Sequence, residues 1–433
     1  MFKTLANAFK VKEVRNKLFL TLLLLLIYRV GCWIPLPGID LTIFQEVTGG
    51  ENGNDFLALI SAVSGGALAN GALLALGVSP YITSSIIIQL MTIAIPALEK
   101  LSKEGGEEGR KKINFYTRLI ALFLSLAQAL GIILAFGDYI NPNVLWTGAP
   151  VWLMSLMLVL ILTAGGMFTV WLGERITDLG IGNGMSLLIF VGILSSGMSA
   201  IMTSITHIGE DIDYLWNVLI FIAALLIIFT VIVLMDLAER RIPVQYAKQI
   251  KGRKMYGGQS TYIPVRVNGS GVLPIIFATA LVTFPQLISS IFWPDSNWYS
   301  EVLGTDSWLY VVLVSLFILF FAYFYAQISF NPEDISKRIQ QNGGFIPGIR
   351  AGKPTTDYLK RISHRITLFG AIFLAVIALV PGFVFKAISL GNEATIVSAF
   401  SATGLMIIVS VALEFEKRLE SQMMMRNYKG FLK

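Results

Sequence analysis

The placement of cationic side chains constrains this chain more than any other feature. Apolar runs of roughly 20 residues, the length a membrane helix needs, cover 18–36, 78–97, 116–136, 151–172, 184–203, 214–236, 271–292, 308–329, 366–388 and 396–414. The segments between them alternate. Basic clusters fall at Lys3 to Lys17, Lys100 to Arg118, Arg175, Arg240 to Arg266, Lys337 to Arg365 and Lys417 to Lys433. The intervening loops 38–56, 137–150, 204–213, 293–307 and 389–395 contain no Lys or Arg. Of the 33 basic residues, only Arg29 and Lys386 escape this pattern. Positive charge favours the cytoplasmic side of a bilayer, so the pattern predicts ten crossings with both termini inside.

One apolar stretch does not fit that count. "FLALISAVSGGALANGALLAL" (56–76) is interrupted by Gly65, Gly66, Asn70 and Gly71. An eleventh crossing here would place the 100–118 cluster outside and invert every later loop. The crossing is therefore assigned to 78–97. The stretch 56–76 then enters from the outer side as a short half-helix and a return, which lipid tolerates only where protein or a water-filled cavity surrounds it. An amphipathic helix lying on the outer surface is the other reading, and composition does not separate the two.

With 55% hydrophobic and 14% charged residues, and a mean hydropathy of +0.71, the chain has the profile of an integral membrane protein. Its apolar runs are continuous rather than alternating, which selects helices over barrel strands. Cys32 is the sole cysteine, so no internal disulfide forms. His207 and His364 lack metal-ligand spacing, and no cofactor is predicted. The first apolar run leads to Pro35 and Pro37, not to a small-residue cleavage site, and reads as a retained helix. "KEGGEEGRKK" (103–112) lacks the Walker spacing. No catalytic constellation is present, so an enzyme is not expected.

The spans contain few charges, with Arg29 the clear exception. Their polar groups are amides and hydroxyls: Thr83, Ser84, Ser85, Gln89, Gln128, Asn183, Gln286 and Gln327. Ion-coupled transport usually needs intramembrane acids, Lys or His, which disfavours a coupled solute carrier with an inverted repeat. Ile82 and Ile86 share one helix face. Together with Ile189 after "GIGNG", Ile276 after Pro274, and Ile407 in "GLMIIVS", they are candidates for a dewetting constriction. Ordinary helix packing is the competing reading for each. Pro274 and Pro285 are candidate kinks. Two long basic loops protrude on the inner side. The stretch 239–271 is predicted to form a β-hairpin around "YGG", and 331–365 a short helix with a Gly/Pro-rich tip bearing Arg350. Such protrusions suit anionic lipid, RNA or an acidic protein surface.

The motifs "IPLPGID" (34–40), "SGGAL" (64–68), "PYITSSIIIQL" (80–90), "KEGGEEGRKKI" (103–113), "GIGNG" (180–184), "AERRIPVQYAK" (238–248), "YIPVRVNGSGVLPIIFA" (262–278) and "NPEDISKRIQQNGGFIPGIRAGKPT" (331–355) occur in order. Together they resemble the SecY family, the central subunits of the bacterial protein-conducting channel. The resemblance implies an all-α polytopic membrane protein of ten transmembrane helices. These form two inverted pseudo-symmetric halves, 1–203 and 204–433, around a central pore. It further implies a plug half-helix near Ile60 to Leu74, including Ser64, Gly65, Gly66, Leu68 and Asn70. The pore ring would be Ile82, Ile86, Ile189, Ile276 and Ile407, with Met406 as the alternative at the last position.

Thr83, Gln89, Asn183, Pro274 and Phe277 would belong to a lateral gate. Arg240, Arg241, Lys248, Lys251, Arg253, Lys254 and Arg350 would dock the ribosome or the ATPase SecA. Ala351 stands where the family usually has Pro, which implies a looser turn. Implied partners are SecE, SecG, SecA, the ribosome, signal peptides and preproteins, anionic lipid, and insertase or accessory translocation subunits. The implied location is the bacterial cytoplasmic membrane.

Overall fold

Helix boundaries follow the punctuation of the sequence. The computed structural model describes residues 8–37, 64–103, 105–135, 150–207, 212–246, 249–251, 254–256, 260–269, 271–292, 302–303, 307–387 and 402–430. Its helices are α1 (Lys12–Gly31), α2 (Ser79–Ala94), α3 (Pro96–Lys103), α4 (Gly106–Ala135), α5 (Val151–Leu179), α6 (Gly184–His207), α7 (Ile212–Leu237), α8 (Leu273–Phe292), α9 (Trp308–Ser329), α10 (Pro332–Gln341), α11 (Lys353–Ala387) and α12 (Ala402–Gly430). α2 stops at Ala94 because Ile95, ahead of Pro96, is extended. The chain bends by 107° there into α3. α9 starts where Ser307 accepts from the Leu309 N–H at 3.3 Å. α10 starts where Asn331 accepts from the Glu333 N–H at 3.1 Å, with Pro332 in the first turn.

Each of the ten predicted spans overlaps one of these helices, 78–97 running over both α2 and α3; residues 396–401 of the last lie outside the described residues. Among the described residues, five helices are by themselves long and apolar enough to cross a membrane: Gly106–Leu134, Val151–Leu179, Leu219–Leu237, Trp308–Gln341 and Lys353–Val380. The bent pair Ser79–Ala94 and Pro96–Ser102 would be a sixth. α1 has the length but carries Lys12, Glu13, Arg15, Lys17 and Arg29. Pro285 lies within α8, as predicted.

Two compact units result. The first comprises Met1–Ile220, Thr283–Asp306 and Phe385–Lys433. One of its cores joins Leu36, Leu68, Ala75 and Leu76 to Ile132 and Ile133 of α4 and to Met154, Leu158 and Leu162 of α5. Another joins Val14 and Leu18 of α1 to Ile181 and Leu419.

The second unit comprises Phe221–Val282 and Ser307–Val384. Here the first basic loop forms β1 (Glu239–Tyr246), β2 (Gln249–Lys251), β3 (Lys254–Tyr256) and β4 (Ser260–Arg266). β1 pairs antiparallel with β4, from Glu239↔Arg266 to Gln245↔Ser260. The predicted hairpin is present, but its tip is not at "YGG". Tyr256 instead lies in β3, which pairs antiparallel with β2 from Gln249↔Tyr256 to Lys251↔Lys254. The sequence analysis also missed β5 (Gly344–Phe345), which pairs with β1 through Gln245↔Phe345 and Tyr246↔Gly344. The sheet order is β4-β1-β5. Ile242, Val244 and Val265 bury one face of it against Ile339, Ile346, Leu359 and Ile362. The two predicted loops are thus one packed module.

Candidate functional site

The segment 64–78 shows how a Gly-rich stretch sits inside a helical membrane unit. Of the predicted half-helix, 56–63 lies outside the described residues, and 65–78 is a chain of turns rather than helix. The reason is local. Gly65, Gly66, Gly71 and Gly77 all have positive φ, which breaks helical continuation. The strand-like exit of α1 holds the segment. The Leu36 N–H donates to the Gly71 carbonyl at 2.7 Å, and the Leu73 N–H to the Ile34 carbonyl at 2.8 Å. Pro35 and Ala72 form an isolated bridge. Ser64, Leu68, Leu74 and Leu76 are almost fully buried, while Asn70 is exposed. A Cβ on Gly165 of α5 would lie 2.1 Å from the Leu73 carbonyl oxygen, so only glycine permits this approach. Among described residues, then, the backbone of 67–76 is paired or packed, as a membrane interior demands.

At the neck of this segment stands Arg29. Its Nη1 donates to the Gly65 carbonyl at 3.2 Å, and its Nη2 donates to the Ser195 hydroxyl on α6. The Tyr28 hydroxyl makes a long 3.5 Å contact to the Ser64 carbonyl. Sequence reasoning noted Arg29 only as an isolated charge. The signal that could have assigned it was that isolation: a costly intramembrane cation needs partners.

The predicted pore residues divide between the units. Ile82 and Ile86 lie one turn apart on α2 and are half-buried. Ile189 on α6 and Ile407 on α12 are buried, at 6% and 5% exposure. Met406 is buried too, so burial does not choose between it and Ile407. These residues belong to the first unit, and Ile276, half-buried on α8, to the second.

Of the predicted gate residues, Thr83 donates back to the Ser79 carbonyl at 3.1 Å, and Gln89 is exposed. Asn183 caps α6: its Oδ1 accepts from the Met185 N–H at 3.2 Å. The neighbouring glycine of "GIGNG", Gly184, receives the same support, its N–H donating to Thr177 Oγ1 at 2.9 Å. Pro274 is buried in the first turn of α8. Phe277 stacks on Tyr325 with centroids 4.9 Å apart and also meets Phe321.

The docking candidates sit on the module of the second unit. Arg240 and Arg241 are exposed on β1. Arg241 lies over the Tyr262 ring at 4.8 Å and pairs with Glu239 at 2.8 Å. The bond to Glu239 raises the Arg241 pKa above its ordinary value, so the group stays cationic. Lys251 and Lys254 are backbone partners in the β2–β3 register. Lys248 and Arg253 lie outside the described residues. Arg350 is exposed, and the turn that carries it, with Ala351, is tied by two side chains. Thr355 Oγ1 donates to the Arg350 carbonyl at 2.8 Å, and Ser336 Oγ to the Gly352 carbonyl at 3.0 Å. Among the described residues, no cluster could hold a metal ion.

Comparison with known proteins agrees with this architecture. A family model described as SecY matches residues 72–416. The chain is 42% identical over 453 residues to the protein translocase subunit SecY of Streptomyces galbus, covering 100% of both chains. It is 39% identical to that of Thermotoga maritima over 439 residues, covering 100% of this chain and 98% of the relative. Among solved structures, a protein conducting channel is similar with a TM-score of 0.65 at 20% identity, over 94% of this chain and 91% of that one. A SecY protein whose plug domain stabilises the closed state matches with a TM-score of 0.60 at 18% identity, over 94% and 91%. The channel of a canine ribosome–channel complex matches with a TM-score of 0.61 at 18% identity, over the same shares. With the family matched over most of its length and relatives matched over all of it, this multi-pass membrane chain belongs to the SecY family.

Proposed function

We propose that this chain is the channel subunit of a protein translocase, conducting unfolded secretory polypeptides across a bacterial cytoplasmic membrane and releasing apolar segments sideways into lipid. The observation that carries the reading is the mostly buried, non-helical stretch 65–78 within a membrane unit. Irregular backbone at membrane depth is tolerated only against protein or a water-lined cavity, which is where a plug belongs. Family membership supports the same role.

Ile82, Ile86, Ile189, Ile276 and Ile407 form the constriction, repelling water and ions yet yielding to a flexible chain because aliphatic contacts are non-directional. Thr83, Gln89, Asn183, Pro274 and Phe277 border the lateral gate. A signal helix favours the open state only by as much as it binds that state better. Arg240, Arg241, Lys248, Lys251, Arg253, Lys254 and Arg350, on the cytoplasmic side with both termini, dock the ribosome or SecA. These partners supply the energy, since the chain is a channel rather than an enzyme. SecE and SecG homologues complete the complex. Crosslinking tests the reading. In a Cys32→Ser background, single cysteines at Ile82 and at Ile276 should both capture a stalled secretory chain. Capture at neither position sinks the assignment.

A further inference from the structure

We propose that Asn268 and Asp236 are positioning residues: their bond fixes the inner root of α8, and so the placement of Ile276 and Phe277, to the end of α7. The inference rests on the constriction and gate reading above and deepens it. Asn268 lies in the turn "VNGSG" (267–271) between β4 and α8. It is 7% exposed, and its Nδ2 donates to Asp236 Oδ1 at 3.0 Å. A carboxylate acceptor makes a stronger bond than a neutral one, and a buried amide stripped of its partner is costly.

Two further contacts close on the same turn, all within the second unit. The Val267 N–H donates to the Ala238 carbonyl at 3.0 Å, which carries the β1–β4 ladder up to the end of α7. Helix α11 reaches the turn as well: a Cβ on Gly370 would lie 2.4 Å from the Val267 carbonyl oxygen, so the helix is pressed against it. The turn closes at Gly271, with φ +64°, whose N–H donates to the Asn268 carbonyl at 3.4 Å. α8 begins at Leu273, and the Ile275 and Ile276 N–H groups both donate to the Val272 carbonyl, at 3.1 and 3.2 Å. A short, tied turn therefore leaves little slack between Asn268 and Ile276. Phe277 is already packed on Phe321 and Tyr325 of α9, whereas the root below it depends on polar ties. Without the Asn268–Asp236 bond, α8 leaves the sheet at a less defined angle, and Ile276 is held less closely in the constriction.

The test uses the complete channel complex in planar bilayers, read as resting ion conductance without preprotein, beside hydrogen exchange over 273–278 and the thermal midpoint in detergent. Asn268→Ala and Asp236→Ala are each expected to raise resting leak about tenfold, as loss of one bond to a charged group allows, and to quicken exchange over 273–278. Asp236→Asn keeps an acceptor facing the amide and should stay within about threefold of wild type. Asn268→Asp keeps the shape but sets one carboxylate against another, and should leak at least as much as Asn268→Ala. A side chain that only fills space predicts the reverse, with Asn268→Asp the milder of the two, and that order overturns the proposal. A lowered midpoint with wild-type leak from both alanine variants overturns it too. If the pair Ile86→Asn and Ile276→Asn leaks while both alanine variants match wild type, the positioning role is wrong and the constriction stands. Wild-type conductance from that pair removes the constriction reading and this proposal with it.

Discussion

Replacing Gly165 by Ala tests whether 67–76, packed on α4 and α5, is a seat that stays fixed or one that moves. The new methyl would sit 2.1 Å from the Leu73 carbonyl oxygen, where a carbon–oxygen contact needs about 3.3 Å. Helix α5 and the seat must therefore part by roughly 1 Å. The bonds bracketing that point, Leu36 to Gly71 at 2.7 Å and Leu73 to Ile34 at 2.8 Å, cannot both survive such a shift. Each is worth about 1 kcal/mol, and overpacking adds about 1–3 kcal/mol. A working figure is about 3 kcal/mol, allowing for coupling between the terms. Were the seat to unpack on opening, the open state would escape that strain, and its population would rise about a hundredfold. A seat kept in both states carries the strain in both. The expected result is then a lowered thermal midpoint of the purified complex with resting leak within about threefold of wild type. An unchanged midpoint refutes the close contact. A leak near a hundredfold refutes the fixed seat.

Other expectations follow from the same geometry. Ile86→Asn combined with Ile276→Asn should raise resting leak and relax the need for a functional signal sequence; wild-type conductance in planar bilayers removes both residues from the constriction. Phe277→Ala deletes a fully buried ring stacked on Tyr325 and should cost about 3–5 kcal/mol, seen as early unfolding of the second unit by hydrogen exchange. Arg350→Glu should weaken binding of ribosomes or SecA at least tenfold while sparing the thermal midpoint, because the side chain is exposed; binding that ignores the reversal moves the docking site elsewhere.

The spans were legible in the sequence because their determinant is one-dimensional. An apolar run flanked by charge needs no partner to be recognised, and all ten overlap helices. The ties of the Arg350 turn were not legible because they are not local. Thr355 and Ser336 hold it from five and sixteen residues away, which a missing proline says nothing about. β5 is two residues long and is a strand only because β1 lies beside it. The capping of α6 by the Asn183 oxygen was missed, though "GNG" before an apolar run carried that signal. The glycines of 65–77 signalled an interrupted helix, but the packing of that segment was hidden. Nothing in "ALLAL" distinguishes a stretch that packs on α4 and α5 from one that spans lipid.

The strand β5 has a mechanical corollary. It fastens the Arg350 turn to β1, and Leu359 and Ile362 of α11 sit under the same sheet. A load on one basic protrusion therefore reaches the other and passes directly into the root of α11. Two footholds that look independent along the chain act as a single pedal, and a crosslink between positions 245 and 345 should leave docking intact.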